Sequence, residues 1–469
     1  MKNALKVVSV VAFCFLQQSA YGWQDDGLRD SLAKINEESV KKTISYLASD
    51  ELGGRGTPSP GFTIASEYVA KRFEAAGLEP GGVEGWYQNH EIKTTRMPTA
   101  GIHIQYSNGE PIEHFGLLAA TDDRFEYSGA VTEIKLADEF SEGQFKGPVV
   151  ATETDSPGNR RYLNSVVRAS NRLKQAGATA LIIVVPEDHM AVGQAKQSAG
   201  KHRVVNTSQR MAIPVLLVRE LDAGSEVSMD LPAAIASQAV VGNTIGILKG
   251  SDETLSKEAI LFTAHLDHLG TNPDATGDQI YNGADDDASG VTGVLTLADA
   301  FGALPFRPKR SIIFMTLWGE EQGLLGSKQF AAEPTWPLEL IVANVNIEMI
   351  GRPEPGAAGK IWMTGWGESN LGELMNDAAS KNGGTIFEHP QYSAMLYRSS
   401  DNWSFVEKGV IAHSFSAGSL HGDYHQPGDE WEKLDTEHMT RVVRSLFFGS
   451  LPITSGDATP KSSANRRGR

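Results

Sequence analysis

Cysteine is all but missing from this 469-residue chain, which contains one, Cys14. That residue lies in an N-terminal segment with Lys2 and Lys6 at its start and an apolar run from Val7 to Leu16. Ala20-Tyr21-Gly22 then offers small residues where a peptidase cuts. A positive end, a short apolar run and small residues read as a signal peptide over 1–22, cleaved near Gly22, which implies a periplasmic or secreted protein. The mature chain, starting near Trp23, then has no cysteine. Disulfides and thiolate ligands are excluded, and any metal has to be held by His, Asp and Glu. Long apolar runs are also lacking, because Val7 to Leu16 is too short to span a bilayer, so no stable membrane insertion is expected. Basic charge is scarce: 42 Lys and Arg stand against 58 Asp and Glu, a formal net charge of -16. Such a field argues against nucleic acid and anionic membrane as partners. It does not repel the ammonium end of a peptide. None of these features specifies an oligomeric state.

What is present is material for a globular protein of more than one domain, with 40% hydrophobic and 21% charged residues. Val40, Ile44 and Leu47 share a helical face. Leu52-Gly-Gly-Arg-Gly-Thr-Pro-Ser-Pro-Gly61 interrupts it, Ala65, Tyr68, Val69 and Phe73 resume it, and Gly77 suits its end. Residues 117–241 have another texture. Pro148–Ala151, Ala180–Val185 and Ile213–Val218 are apolar runs of strand length, Val166 to Ala176 is a helix, and no His or carboxylate cluster accompanies them. From Asn243 onward, strands at Ala259–Ala264, Ser311–Leu317, Leu340–Ile347, Ile361–Thr364 and Val410–Phe415 alternate with helices. Those helices are expected at Val291–Phe301, Leu371–Ala379 and Asn402–Lys408. This alternation predicts an α/β fold, a mostly parallel sheet with helices on both faces. A closing helix carries Met439, Val442, Val443 and Leu446, and the polar stretch 455–469 reads as a disordered tail.

In open α/β sheets, ligands bind beyond the carboxyl ends of the strands. The first of the strands above runs into His265-Leu-Asp267-His268, the second into Gly319-Glu320-Glu321 and the third into Glu348. The loop after Val410–Phe415 holds His421, Asp423, Tyr424 and His425. Between the first two lies Gly283-Ala-Asp-Asp-Asp-Ala-Ser-Gly290. Alone, three acids ahead of a helix are an ordinary capped start. Set among four strand ends that each deliver imidazole or carboxylate, they point to a metal site. A mixed nitrogen and oxygen donor set suits zinc, with manganese or cobalt as substitutes.

The segments TAHLDHLG, NGADDDASG, WGEEQGLLGS, NIEMIGR and DYHQPGD resemble, in order, the five metal-site motifs of co-catalytic zinc aminopeptidases related to aminopeptidase Y and glutamate carboxypeptidase. LASDELGGRGTPSPGF resembles the same group. The pattern around Lys146–Val150, Leu173–Val185 and Ala212–Val218 resembles its inserted, β-rich protease-associated (PA) domain. The resemblance implies a discontinuous zinc peptidase domain over 23–116 and 242–454 with the insertion at 117–241. It implies two zinc ions bridged by Asp286, with His265 and Glu348 completing one site and Glu321 and His425 the other. A cis peptide is implied after the bridging acid, while Asp285 and Asp287 shape the loop and cap the helix. Glu320 is implied as general base, Asp267 as the residue orienting His265, and Tyr424 as an oxyanion donor. The activity implied is that of an exopeptidase, an aminopeptidase acting on peptides with a free N-terminus. A carboxypeptidase or dipeptidase is the alternative, because every metal residue is shared, and Arg398 is then a candidate for a substrate carboxylate. A non-catalytic scaffold would show broken ligands, and none is broken. Three positions depart from the family pattern: Glu348 stands where Asp is commoner, Asn402 where His is, and Gln426 where Thr is. His268 and His421 are expected to support the site or lie on the surface, and His413 to sit in the core.

Overall fold

A computed structural model of the chain describes residues 25–153, 159–198, 202–205, 211–272, 275, 277–418 and 420–463. The expected signal peptide lies outside the described residues. The fold is built on a ten-stranded sheet whose middle is four parallel strands, in the order Ala412–Ser416, Ile341–Ile347, Ala259–His265 and Ser311–Leu317. Their side chains are buried on both faces, which is why each reads as an unbroken apolar run rather than an alternating one. The sheet is less parallel than its sequence predicts. Lys360–Met363 joins Ala412–Ser416 antiparallel at one flank. At the other, Ile235–Leu248 and then Tyr87–Arg96 join antiparallel.

Helices cover both faces: Leu325–Ala332 and Asn402–Val406 pack Phe330 and Phe405 against Leu261, Ile313 and Met315 on one, and four longer helices lie on the other. Glu37–Leu47, Pro60–Ala75, Gly290–Gly302 and Thr436–Thr454 pack through Val40, Ile44, Phe73, Val294, Phe301, Val443 and Phe447 into one core with the strand residues Phe262, Phe314 and Val345. Pro60–Ala75 starts within the stretch expected to interrupt the helix, with Ser59 accepting the Phe62 N–H and Pro60 in the first turn. Gly77 (φ 77°) follows its end.

Two smaller sheets form a second body. A five-stranded one runs His114–Ala119, Val215–Val218, Leu181–Val184, Val149–Thr152, Thr132–Glu133. A three-stranded one runs His103–Tyr106, Glu226–Leu231, Phe125–Ala130. The helix Asn159–Gln175 packs Val166, Ala169 and Leu173 on one face of the larger sheet, against Leu181, Ile183 and Leu217. The opposite face, through Ile182, Leu216 and Val218, packs on Ile104, Val227 and Met229. These sheets begin at His103, ahead of the expected boundary at Leu117. Residues 235–241, expected in the insertion, instead pair with Tyr87–Arg96 in the large sheet. The boundary shifts because strand pairing decides it, and pairing has no signature in composition.

The expected disordered tail is ordered as far as Ser463. Asn370 and Lys461 exchange main-chain and side-chain hydrogen bonds, and Arg310 donates to the carbonyls of Ile453 and Ala458. This segment is held through its backbone, so its polar composition gave no sign of it. Among the described residues no helix is long and apolar enough to cross a membrane.

Candidate metal centre

Because the four central strands are parallel and adjacent, their carboxyl ends open on one edge, and the residues beyond them converge there. Asp286 is the meeting point. Its Oδ1 lies 3.1 Å from His265 Nε2 and its Oδ2 3.1 Å from His425 Nε2. His265 Nε2 is also 3.3 Å from Glu348 Oε1, and His425 Nε2 is 3.3 Å from Glu321 Oε2. One carboxylate thus faces two imidazoles, and each imidazole faces a second carboxylate. All five residues expected as ligands are brought together.

The loop carrying Asp286 is held from several sides. The Asp286–Asp287 peptide is cis. Asp429 Oδ2 accepts the N–H groups of Asp285 and Asp286. Asp287 Oδ1 accepts from Gly290 and Met349, and its Oδ2 from the His265 N–H, so this acid caps the following helix and ties two strand ends together. Asp285 Oδ1 accepts from Gly351 N and Ser289 Oγ, and its Oδ2 lies 3.3 Å from His421 Nε2. The triple acid therefore divides its labour: the middle residue faces the imidazoles and its neighbours build the loop.

Glu348, where a shorter Asp is commoner, is kept in place by its other oxygen. Oε2 accepts from Ser400 Oγ at 2.5 Å and Asn346 Nδ2 at 3.3 Å, which leaves Oε1 directed at His265. Asn402 sits behind this shell, accepting from Ser414 Oγ and donating to the Tyr397 carbonyl, and does not reach the cluster. Asp267 departs from expectation. His265 Nδ1 lies 2.9 Å from its main-chain oxygen, whereas its carboxylate is 3.9 Å away and accepts the Glu320 N–H instead. The imidazole is still oriented, but by a carbonyl.

Electrostatics follow from burial and company. Burial penalises the Asp286 carboxylate, yet the imidazoles of His265 and His425 outweigh it and hold its pKa well below the ordinary range. Burial and Asp286 disfavour the charge on Glu321, but His268 and His425 prevail and bring it down to about 2. Glu320 has no such imidazole contact, and desolvation pushes its pKa well above the ordinary value. The carboxyl of Asp267 is pushed up to about 7, again chiefly by burial. Tyr424 stacks on the His425 ring at 3.9 Å, and burial together with the nearby carboxylates raises its phenol pKa.

Two contributions, from Arg55 and Asp401, went unseen in the sequence, and a third, from His268, was expected only as support or surface. Arg55, fully buried in the Gly-Gly-Arg-Gly turn, donates to the carbonyls of Leu47, Leu266, Asn282 and Gly283, stapling the His265 loop to the Asp286 loop. Asp401 is fully buried behind the cluster, its pKa pushed up to about 7 by desolvation. His268 is buried inside the cluster, its Nδ1 2.8 Å from Glu321 Oε1 and 3.7 Å from Asp286 Oδ2. His413 is the core histidine expected, bonded to Ser369 Oγ and the Thr364 carbonyl and driven down to about 4 by burial. Arg398 lies over the Trp403 ring.

The donor set fits divalent cations. Residues His265, Asp286 and Glu348, and likewise His268, Asp286 and Glu321, each bring one donor atom within 4.8 Å of the others. Asp286 Oδ2 and Glu321 Oε1 are buried without a hydrogen-bond partner, as expected of atoms shaped to face an ion. Beside Glu348 and Tyr424 opens a pocket of about 80 Å³, walled by Trp362, Tyr392, Leu396 and Met349.

Comparison with known proteins agrees with the motifs. Residues 243–447 match Peptidase family M28, which bears out the resemblance drawn from the five segments. Over 112 residues, 24% of this chain and 23% of the relative, it is 37% identical to a probable zinc metalloprotease of Pyrenophora teres f. teres. Over 243 residues it is 27% identical to a probable glutamate carboxypeptidase of Arthroderma benhamiae, covering 45% of this chain and 30% of that one. The matched stretches thus span about a quarter of the length of these curated relatives. The solved aminopeptidase from Aneurinibacillus sp. strain AM-1 shares the fold, with a TM-score of 0.62 at 19% identity over 92% of this chain and 96% of that one.

Proposed function

Starting from a chain whose residues 243–447 match peptidase family M28, we propose a di-zinc exopeptidase, an aminopeptidase that removes N-terminal residues from peptides. One observation carries this reading: Asp286 directs its two oxygens at two imidazoles, His265 and His425, each 3.1 Å away. A carboxylate placed so can serve two cations, one completed by His265 and Glu348, the other by Glu321 and His425. Bound there, divalent cations supply Lewis acidity, polarising a substrate carbonyl and lowering the pKa of a water.

The chain's own residues do the rest. Glu320 stands beside the ligands without a cation-facing role, and its desolvated carboxylate has an enhanced affinity for a proton. It takes the proton of the attacking water and passes it to the leaving amine. Tyr424, kept protonated by its surroundings, donates to the oxygen on which charge develops. The pocket walled by Trp362, Tyr392 and Leu396 suits an uncharged side chain of the substrate. Replacing Glu320 with Gln should lower kcat by roughly 10²–10⁴-fold while zinc content stays at the wild-type level. Retained turnover would remove Glu320 from the base role.

A second reading, carboxypeptidase or dipeptidase, is favoured by Arg203. Its strand, His202–Val204, is tied by a 2.8 Å bond from Val204 N–H to Oε1 of Gln322, the residue after Glu321, and the Glu321 carboxylate favours the charge of Arg203. A cation there suits a substrate carboxylate. Amino-acid arylamides and N-blocked peptides separate the two: an aminopeptidase cleaves the first and leaves the second intact. The same proposal takes the protein to the periplasm or outside the cell on its signal-like N-terminus. It reads the second body, from His103 to Leu231, as a protease-associated insertion governing substrate access. Deleting that stretch without altering substrate range would count against the gating role.

A further inference from the structure

His268 is the one imidazole in the cluster that the scheme above leaves idle. Its ring is fully shielded from solvent. Its N–H donates to the Arg55 carbonyl at 3.3 Å, which fixes the backbone. Gly283, in a left-handed conformation (φ 55°), lies against the ring, where a Cβ would stand 2.4 Å from His268 Cγ. Only glycine allows the ring to lie where it does.

The ring's nitrogens are not engaged in hydrogen bonding. Nδ1 approaches Glu321 Oε1 to 2.8 Å, a hydrogen-bond distance without hydrogen-bond geometry, and both atoms are buried without a partner, as is Asp286 Oδ2. A nitrogen and two carboxylate oxygens that crowd together without pointing at one another behave like donors converging on a shared cation. Donor atoms about 2.1 Å from one zinc stand roughly 3–3.5 Å apart, with their lone pairs aimed at the ion. The distances from His268 Nδ1, 2.8 and 3.7 Å, straddle that range. Glu321 is bracketed, with Oε1 facing His268 and Oε2 facing His425.

We propose that His268 is a further ligand of the cation held by Asp286 and Glu321. That ion then has two imidazoles, His268 and His425, whereas the ion beside Glu348 has only His265. The inference rests on the two-ion reading and adds to it a ligand that is buried and rigidly seated. His425, in contrast, is one-third exposed and sits on a loop at φ 57°. The buried ligand should hold the ion when the loop ligand is gone.

Zinc stoichiometry and affinity, measured by chelator competition on the full chain and on His268→Asn, His425→Asn and the double variant, test this. Wild type binding fewer than two zinc ions overturns the two-ion reading and the inference with it. With two bound, His425→Asn should retain the second ion at reduced affinity and the double variant should lose it. His268→Asn alone should weaken one ion by about tenfold or more. Unchanged affinities in His268→Asn overturn the inference and leave the two-ion reading standing. A residue that merely positions Glu321 would also weaken binding, so the deciding readout is X-ray absorption at the zinc edge of the wild-type protein, which needs no variant to fold. Three imidazoles shared by two ions support the ligand role, and two overturn it.

Discussion

The molecule contains two sets of buried parallel strands, and only one of them ends in chemistry. In the large sheet, Ala259–His265, Ser311–Leu317 and Ile341–Ile347 run straight into His265, Glu320-Glu321 and Glu348. In the smaller sheet, Val149–Thr152, Leu181–Val184 and Val215–Val218 are as apolar and as parallel. Their ends carry Glu153, Glu187 and Arg219, and Arg219 pairs with Glu113 and Glu187 on an exposed surface. A parallel sheet provides an edge where side chains can converge. Whether a site forms there depends on what stands at the strand ends and on whether burial strips those groups of water.

Four substitutions put that contrast under strain. Asp286→Ala removes the one residue that both halves of the centre share, so zinc content should fall for both ions and activity should drop to background. Loss of a single ion would show that the halves are independent. Arg55→Ala leaves four carbonyls without their shared donor and should destabilise the protein by about 3–5 kcal/mol in denaturant unfolding. Leu217→Ala, in the core of the smaller sheet, should cost about 2–5 kcal/mol in the same assay. The contrast is in the second readout: Leu217→Ala should leave zinc affinity unchanged, whereas Arg55→Ala should weaken it because the His265 and Asp286 loops are released together. Arg219→Ala breaks exposed ion pairs and a cation–ring contact with Phe115, and should move the thermal midpoint least of the four.

How legible these features were in the sequence follows from the kind of bond that makes them. The central strands were visible because a strand buried on both faces must be apolar throughout, and the ligands because they follow those runs directly. Arg55 was hidden because its partners are main-chain carbonyls at Leu47, Leu266, Asn282 and Gly283, which carry no side-chain pattern. Asp429 was quoted within a motif and left without a role for the same reason, as it accepts from the N–H groups of Asp285 and Asp286. The orientation of His265 by the Asp267 carbonyl rather than its carboxylate is a matter of one ångström, beyond what spacing conveys. His268 shares its segment with His265 and Asp267, and it stayed in the background because a ligand set already looked complete. Residues 455–463 looked disordered because backbone groups, rather than apolar side chains, tie them to Asn370 and Arg310.

The central claim is that Asp286 bridges two cations. Anomalous diffraction collected at the zinc absorption edge from crystals of the zinc-loaded protein tests it most directly. The account predicts two peaks flanking the Asp286 carboxylate, one against His265 and Glu348 and the other against Glu321 and His425. A single peak, or peaks that leave one Asp286 oxygen without a neighbouring ion, would contradict it.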